Sequence, residues 1–319
     1  MGKRLRVGVM QRPANEVPPG IPRSELAVVP LRHPARWIAA GVVLYIAAMV
    51  GYSAATNERF EWGVALDYVF AKPILEGLGF TLALTALVMI SGILFGTLIA
   101  IMRLSASPIL SSAAWLYTWF FRGIPPLVQL IFWYNLAAIY PKIQIGLPFG
   151  SPFFLLDANQ LITPAVAAIL GLGLIETAYA SEIVRSGILS VDEGQSEAAL
   201  ALGMRPRLIM REILLPQAMR VIIPPLGSQT IGLLKATSIV SVIAVDELFH
   251  AAQTIYARTF ETIPLLITAS LWYLFITTVL TIGQGYLEKH FQRGSSRHQR
   301  GGLPQRLRRS KPGSPGEFV

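Results

Sequence analysis

Two ionisable residues stand where the chain otherwise carries no charge: Glu176 in ILGLGLIETAYA and Lys235 in GLLKATSIVSVI. A lone charge at the centre of a bilayer costs about 2.5 to 3.5 kcal/mol on insertion scales, so such groups are paired, wetted or functional. The chemistry open to them is charge recognition, ion relay or helix–helix pairing. Glu176 could lie in a translocation pathway or serve as glue between helices; Lys235 could snorkel, pair with Glu176 or meet an anionic group. Glu182 and Arg185, three residues apart, have the helical spacing of an ion pair. Bond-making chemistry has no residues to work with. There is no GxxxxGK[ST] loop, no HExxH, no GxSxG, no metal-ligand spacing and no cysteine. A third feature is a polar stretch, EAALALGMRPRLIMREILLP, from Glu197 to Pro216. Glu197–Leu202 is a helix-forming run that Gly203 ends, with Pro206 reinforcing the stop. A second helical run carries Arg207, Arg211 and Glu212 until Pro216 interrupts it. Such a helix–turn–helix is too polar for lipid and should dock on a partner protein.

These groups must be held by apolar segments, and the composition supplies them. In 319 residues, 53% are hydrophobic, 14% are charged and the mean hydropathy is positive, which describes a multi-spanning membrane protein. The net charge of +9 collects in the tails and beside apolar runs, where membrane orientation rather than nucleic-acid binding explains it. Residues 1–36 read as a basic, proline-rich disordered tail. Trp37–Ala55 is charge-free and about as long as the ~20 residues that cross a bilayer; with the mixed-charge connection to residue 72 it forms an extra N-terminal unit. Gly77–Met102 is the second span, in which Gly92 and Gly96 make a small-xxx-small step for close helix approach. Residues 104–121, with Trp115, Tyr117 and Trp119, read as an interfacial helix. A third span then runs from Arg122 through Pro125–Pro126 and Gln129 to Tyr140. A glycine- and proline-rich loop, 141–160, leads to a fourth span, 161–187. The fifth is placed at Val221–Val245, opening with Pro224–Pro225. A polar outer segment with Asp246, Glu247, Arg258, Glu261 and an unremarkable His250 precedes the charge-free sixth span, 262–287. The basic tail 291–319 follows. Six spans put both termini, the Arg103 turn and the 192–216 loop on one side, the side with the Lys and Arg surplus, which is the cytoplasmic side by the charge rule.

The polar stretch also resembles the EAA motif of ABC-transporter inner-membrane subunits: Glu197-Ala198-Ala199, three residues, Gly203, nine residues, Ile213, one residue, Leu215-Pro216. FFRGIPPLVQLIFWYNL is similar to the FRGTPLLVQ signature of polar-amino-acid permeases, departing at Ile124 and Pro126, and AYASEIVRSGILSVDEGQ fits the same subfamily. Where that subfamily has Lys-Asp-Thr-Ser, this chain has Ala236 after Lys235. The resemblance implies an all-α membrane protein of about six transmembrane helices: a five-helix importer core within 73–290 plus one N-terminal helix, in the cell inner membrane. It implies coupling through Glu197, Ala198, Ala199, Gly203, Ile213, Leu215 and Pro216 to partner ATPase subunits, which would use the ATP, no cofactor being bound by this chain. An external solute-binding protein, a second permease copy or a relative, and an amino-acid substrate complete the implied set. The substrate pathway is assigned to Glu176, Lys235, Arg122 and Gln129, with Glu176 expected in a water-filled cavity facing the substrate's ammonium. A gradient-driven secondary transporter using Glu176 and Lys235, and a plain membrane anchor, are the competing readings; the first has no use for the polar loop and the second none for intramembrane charges.

Overall fold

The computed structural model describes residues 34–146 and 152–292. The chain divides at Glu58. On the N-terminal side stands one apolar helix, α1 (Pro34–Thr56), with no residue of its membrane-length window buried. Of the expected tails, 1–36 and 291–319, residues 1–33 and 293–319 lie outside the described residues, while 34–36 begin α1 and 291–292 end the last helix.

The second unit is organised on two long helices, α3 (Lys72–Arg103) and α8 (Pro164–Leu189). Gly92 meets Glu176, and Gly96 meets Ala180 and Ser181, so the two helices run in the same direction. A Cβ at Gly96 would come within 2.8 Å of Ala180 Cβ and 2.9 Å of Ser181 N and Thr177 O. The small-residue step therefore sets a backbone approach that no larger residue allows.

Between them the chain crosses back as a broken pair, α4 (Pro108–Gly123) and α5 (Pro126–Tyr134). The expected interfacial helix is instead the first half of this crossing, which begins at Pro108 rather than Arg122. Its Ala114 and Thr118 are buried, and Tyr117 Oη donates to Leu174 O of α8 at 2.9 Å. Pro125 and Pro126 lack amide hydrogens, so α4 cannot continue through them. Gln129 Nε2 closes the break by donating to Phe121 O (2.9 Å) and Ile124 O (3.0 Å). A one-turn helix, α6 (Leu136–Ile139), then leads into an antiparallel hairpin of β1 (Lys142–Gly146) and β2 (Pro152–Asp157), where a loop was expected. The short α7 (Ala158–Leu161) returns the chain to α8, whose N-cap Thr163 accepts from Val166 N at 3.3 Å.

After α8 come α9 (Glu193–Ala201) and α10 (Pro206–Ile209), a π-helical turn at Met210–Leu214, α11 (Leu215–Ala236) and a 3-10 turn at Thr237–Ile243. Two expectations fail here. Pro216 does not interrupt the helix, because the π turn takes up the register change just before it. Pro224 and Pro225 lie inside α11 rather than opening a span. Proline inside a helix is tolerated at membrane depth more readily than in water, and beside these two Gln284 Nε2 ties α11 to the last helix by donating to Pro224 O at 3.2 Å and Ser228 Oγ at 2.9 Å.

The segment expected to be a polar outer connection is a helix, α12 (Leu248–Thr259), packed on α3 and on α13 (Thr262–Gln292). Gly77 permits that contact, since a Cβ there would sit 2.9 Å from Glu247 O. The connection at 58–72 likewise holds a helix, α2 (Trp62–Val69), tied to α13 by Thr268 Oγ1 to Ala65 O (2.7 Å) and Trp272 Nε1 to Val69 O (2.9 Å). Among the described residues five helices are long and apolar enough to cross a membrane, and the α4–α5 pair supplies the broken sixth crossing.

Candidate coupling elbow and intramembrane polar site

The polar stretch forms an elbow at one end of the helices, between α8 and α11. Asp192 caps α9 by accepting from Gly194 N at 2.9 Å. Gly203 then takes φ +77°, and two bonds close the turn: Gly203 N to Leu200 O (2.9 Å) and Met204 N to Ala199 O (3.1 Å). That pairing is the Schellman motif, which needs a left-handed residue at the position Gly203 occupies. Pro206 opens the next helix, where its missing amide hydrogen would have had no partner anyway. Ala199 and Ile209 are buried and hold the elbow shut. Glu197 and Ala198 are exposed, Ile213 is half-buried, and Leu215 and Pro216 are exposed. Leu200, Leu202 and Leu208 are exposed too, Leu202 by 82%. Apolar side chains displayed on so charged a segment suit a protein partner, not lipid.

Within the helices, Glu176 is 2% exposed. Its Oε2 accepts from Gln229 Nε2 of α11 at 3.0 Å, its Oε1 has no partner, and its Cγ lies on Gly92. Lys235 does not reach it: the lysine is exposed and forms no ion pair among the described residues. Gln229 is the partner that sequence reasoning missed. The signal was the polar run Ser228-Gln229-Thr230 in an otherwise apolar segment. Arg122 is exposed, with its guanidinium carbon 5.2 Å from the centre of the Tyr179 ring on α8, so it stands one turn along the helix from Glu176. Gln129 is buried with its Oε1 unpartnered. Glu182 and Arg185 form the expected pair, Nη2 to Oε1 2.5 Å.

The elbow and the polar contact use the same two helices. Glu176 is on α8, which enters the elbow; Gln229 is on α11, which leaves it. A movement of the elbow that changes the α8–α11 relation therefore acts on the one hydrogen bond that partners Glu176.

A second carboxylate, Glu247, was read as an outer-segment charge and is fully buried. It caps α12, accepting from Phe249 N (2.9 Å) and His250 N (2.7 Å), and ties in Tyr273 Oη of α13 (2.9 Å) and Thr81 Oγ1 of α3 (3.5 Å). Burial pushes its carboxyl above the ordinary range, and these donors oppose the shift. Glu247 is thus a structural node joining α3, α12 and α13. Glu247→Ala would leave Tyr273 and the α12 amides without their acceptor, at about 1–3 kcal/mol for each buried donor. The expected result is a purified protein that melts roughly 5 to 10 °C lower, measured by thermal denaturation in detergent, with Glu247→Gln affected less.

Residues 92–293 match the profile of the family described as binding-protein-dependent transport system inner membrane component. The chain is 46% identical over 270 residues, 84% of each protein, to the arginine transport system permease protein ArgU of Corynebacterium glutamicum. It is 34% identical over 232 residues, 72% of this chain and 98% of the other, to the glutamate/aspartate import permease protein GltK of Escherichia coli. Among solved structures, an amino acid ABC transporter crystallised with histidines aligns over 69% of this chain and 95% of its own, at 32% identity and a TM-score of 0.59. The MetNI methionine ABC transporter shares the fold at a TM-score of 0.57 and 16% identity. Taken with the elbow and its helices, these matches make the chain a member of the binding-protein-dependent transport system inner membrane component family.

Proposed function

We propose that the chain is the transmembrane subunit of an ATP-driven importer of polar amino acids, working as one of a pair of permease subunits. The elbow faces the cytoplasm, as the basic residues on its side imply, and seats Leu202 and its neighbours in an ATPase subunit. ATP is bound and hydrolysed by that partner. The opposite end of the helices receives substrate from an external binding protein. The observation that carries this reading is the elbow itself, a Schellman turn with buried Ala199 and Ile209 beneath exposed Leu200, Leu202 and Leu208. The relatives that transport arginine or glutamate and aspartate support the substrate class.

In the mechanism, closure of the ATPase subunits displaces the elbows, and α8 and α11 move between two discrete packings that open the pathway to one side or the other. Glu176 offers a carboxylate oxygen for the ammonium of the passing amino acid, and Arg122 offers a guanidinium for its carboxylate. Gln129 braces the break that positions Arg122. Lys235, away from Glu176, is a separate cationic contact on the pathway surface.

The test is uptake into proteoliposomes that contain the chain with an ABC ATPase subunit and a solute-binding protein. Labelled arginine, glutamine and glutamate should enter only with ATP on the ATPase side and binding protein on the other. Uptake that ignores ATP and collapses with an ionophore would make the protein a gradient-driven carrier instead.

A further inference from the structure

Phe260 joins α12 to α13 at the end of the helices opposite the elbow, and two things about it are unusual together. Its φ is +64°, in the left-handed region, where it forms the C-cap of α12 with its amide donating to Tyr256 O at 2.9 Å. Glycine is the ordinary residue at such a position, and a bulky side chain there is a true conformational outlier. The ring is also 88% exposed, the most exposed large hydrophobic side chain among the described residues. Neither the fold nor the packing gains from an aromatic ring that is strained and unburied. Strain kept at a surface position points to function.

The surroundings identify what the ring meets. Arg258, Thr259 and Glu261 flank it in sequence, so the aromatic stands in a polar, charged stretch. Other exposed apolar side chains stand in apolar runs, such as Leu271, Leu274 and Phe275 on α13. Arg258 and Thr259, the two residues before Phe260, line a concavity of about 610 Å³ between α12 and the start of α3. Glu76, Asp246, Thr254, Arg258 and Thr259 line it above an apolar floor that includes Phe80. An exposed aromatic beside a pocket, within a polar rim, is the composition of a protein-binding hot spot.

We propose that this corner, with Phe260 as its anchor and the neighbouring pocket as a socket, is a principal contact for the external binding protein. The partner follows from the family's binding-protein dependence and from the side on which α12 lies, so the proposal rests on the importer reading above. The socket holds two carboxylates and one guanidinium, and accordingly fits a binding-protein surface with a basic side chain beside an aromatic-accepting cleft.

The experiment uses the assembled complex in lipid nanodiscs, with immobilised binding protein and measured Kd. Phe260→Gly relieves the strain while removing the ring. It should raise Kd about tenfold or more, while the complex keeps its subunit ratio and melts at the same or a higher temperature. Phe260→Trp keeps an aromatic and should stay within about threefold of the unsubstituted Kd, since less than 1 kcal/mol separates the two. An unchanged Kd in Phe260→Gly would overturn the placement and leave the importer reading standing. A lower melting temperature or lost assembly in Phe260→Gly would also overturn it, by making the ring a structural or lipid contact. No binding by the unsubstituted complex would overturn the importer reading and this proposal together.

Discussion

Gly203→Pro should give a complex that inserts and assembles its membrane helices but transports nothing measurable. Proline holds φ near −65°, whereas Gly203 sits at +77°, and it removes the amide that donates to Leu200 O. Misplaced proline costs about 3 kcal/mol or more, and the lost bond adds about 1 kcal/mol. At about 1.4 kcal/mol per tenfold, the intact elbow becomes rarer by more than ~100-fold. No neighbour lies within 4 Å of a Cβ built at Gly203, so the defect is one of backbone conformation and not of crowding. Gly203→Ala isolates that point. It keeps the amide and meets only the left-handed penalty of about 1 kcal/mol, so transport should fall by no more than about tenfold. The measurement is uptake and binding-protein-stimulated ATP hydrolysis in proteoliposomes, beside the yield of chain in the membrane. Normal stimulation in Gly203→Pro would remove the elbow from the coupling path.

Much of this architecture could be read from residue order because lipid imposes a simple rule: every long charge-free run is a helix that crosses. Gly92 and Gly96 announced a close helix approach without naming the partner, which the structure shows to be α8. The elbow was legible from Gly203 and Pro206, whose backbone preferences are local. What failed depended on neighbours that local rules do not see. Pro224 and Pro225 suggest a helix start by propensity, yet the helix runs through them and is held to α13 by Gln284, 60 residues on, through Pro224 O. The aromatic residues of α4 suggested the bilayer surface, but Ala114, Thr118 and the Tyr117 bond to Leu174 O place it against α3 and α8. Glu247 resembled a loop carboxylate because its two side-chain partners, Thr81 and Tyr273, come from distant helices. Glu176 was recognised as an intramembrane charge and expected in a water-filled cavity facing a substrate ammonium, but the structure buries it against Gly92 and partners it with the neutral amide of Gln229.

That choice of partner leads to the second large effect, in Glu176→Gln. A buried carboxylate facing a cation would be neutralised and held. Facing an amide, Glu176 keeps one oxygen bonded and the other, Oε1, unpartnered. In the role proposed above, that oxygen is the acceptor for a substrate ammonium, and hydrogen bonds to charged groups contribute about 1.5–3 kcal/mol. Glutamine retains the shape against Gly92, where a bulkier residue has no space, and can still pair side chain to side chain with Gln229. Helix packing and assembly should therefore survive, while uptake of a cationic or zwitterionic amino acid falls by about 10- to 100-fold. Glu176→Leu separates charge from polarity, because it also strands the Gln229 amide and should lower the melting temperature, which Glu176→Gln should not. The decisive comparison is transport rate against assembled yield for the two variants. Undiminished uptake in Glu176→Gln would make the carboxylate glue between α8 and α11, and lost assembly in that variant would show that its negative charge holds the helices together.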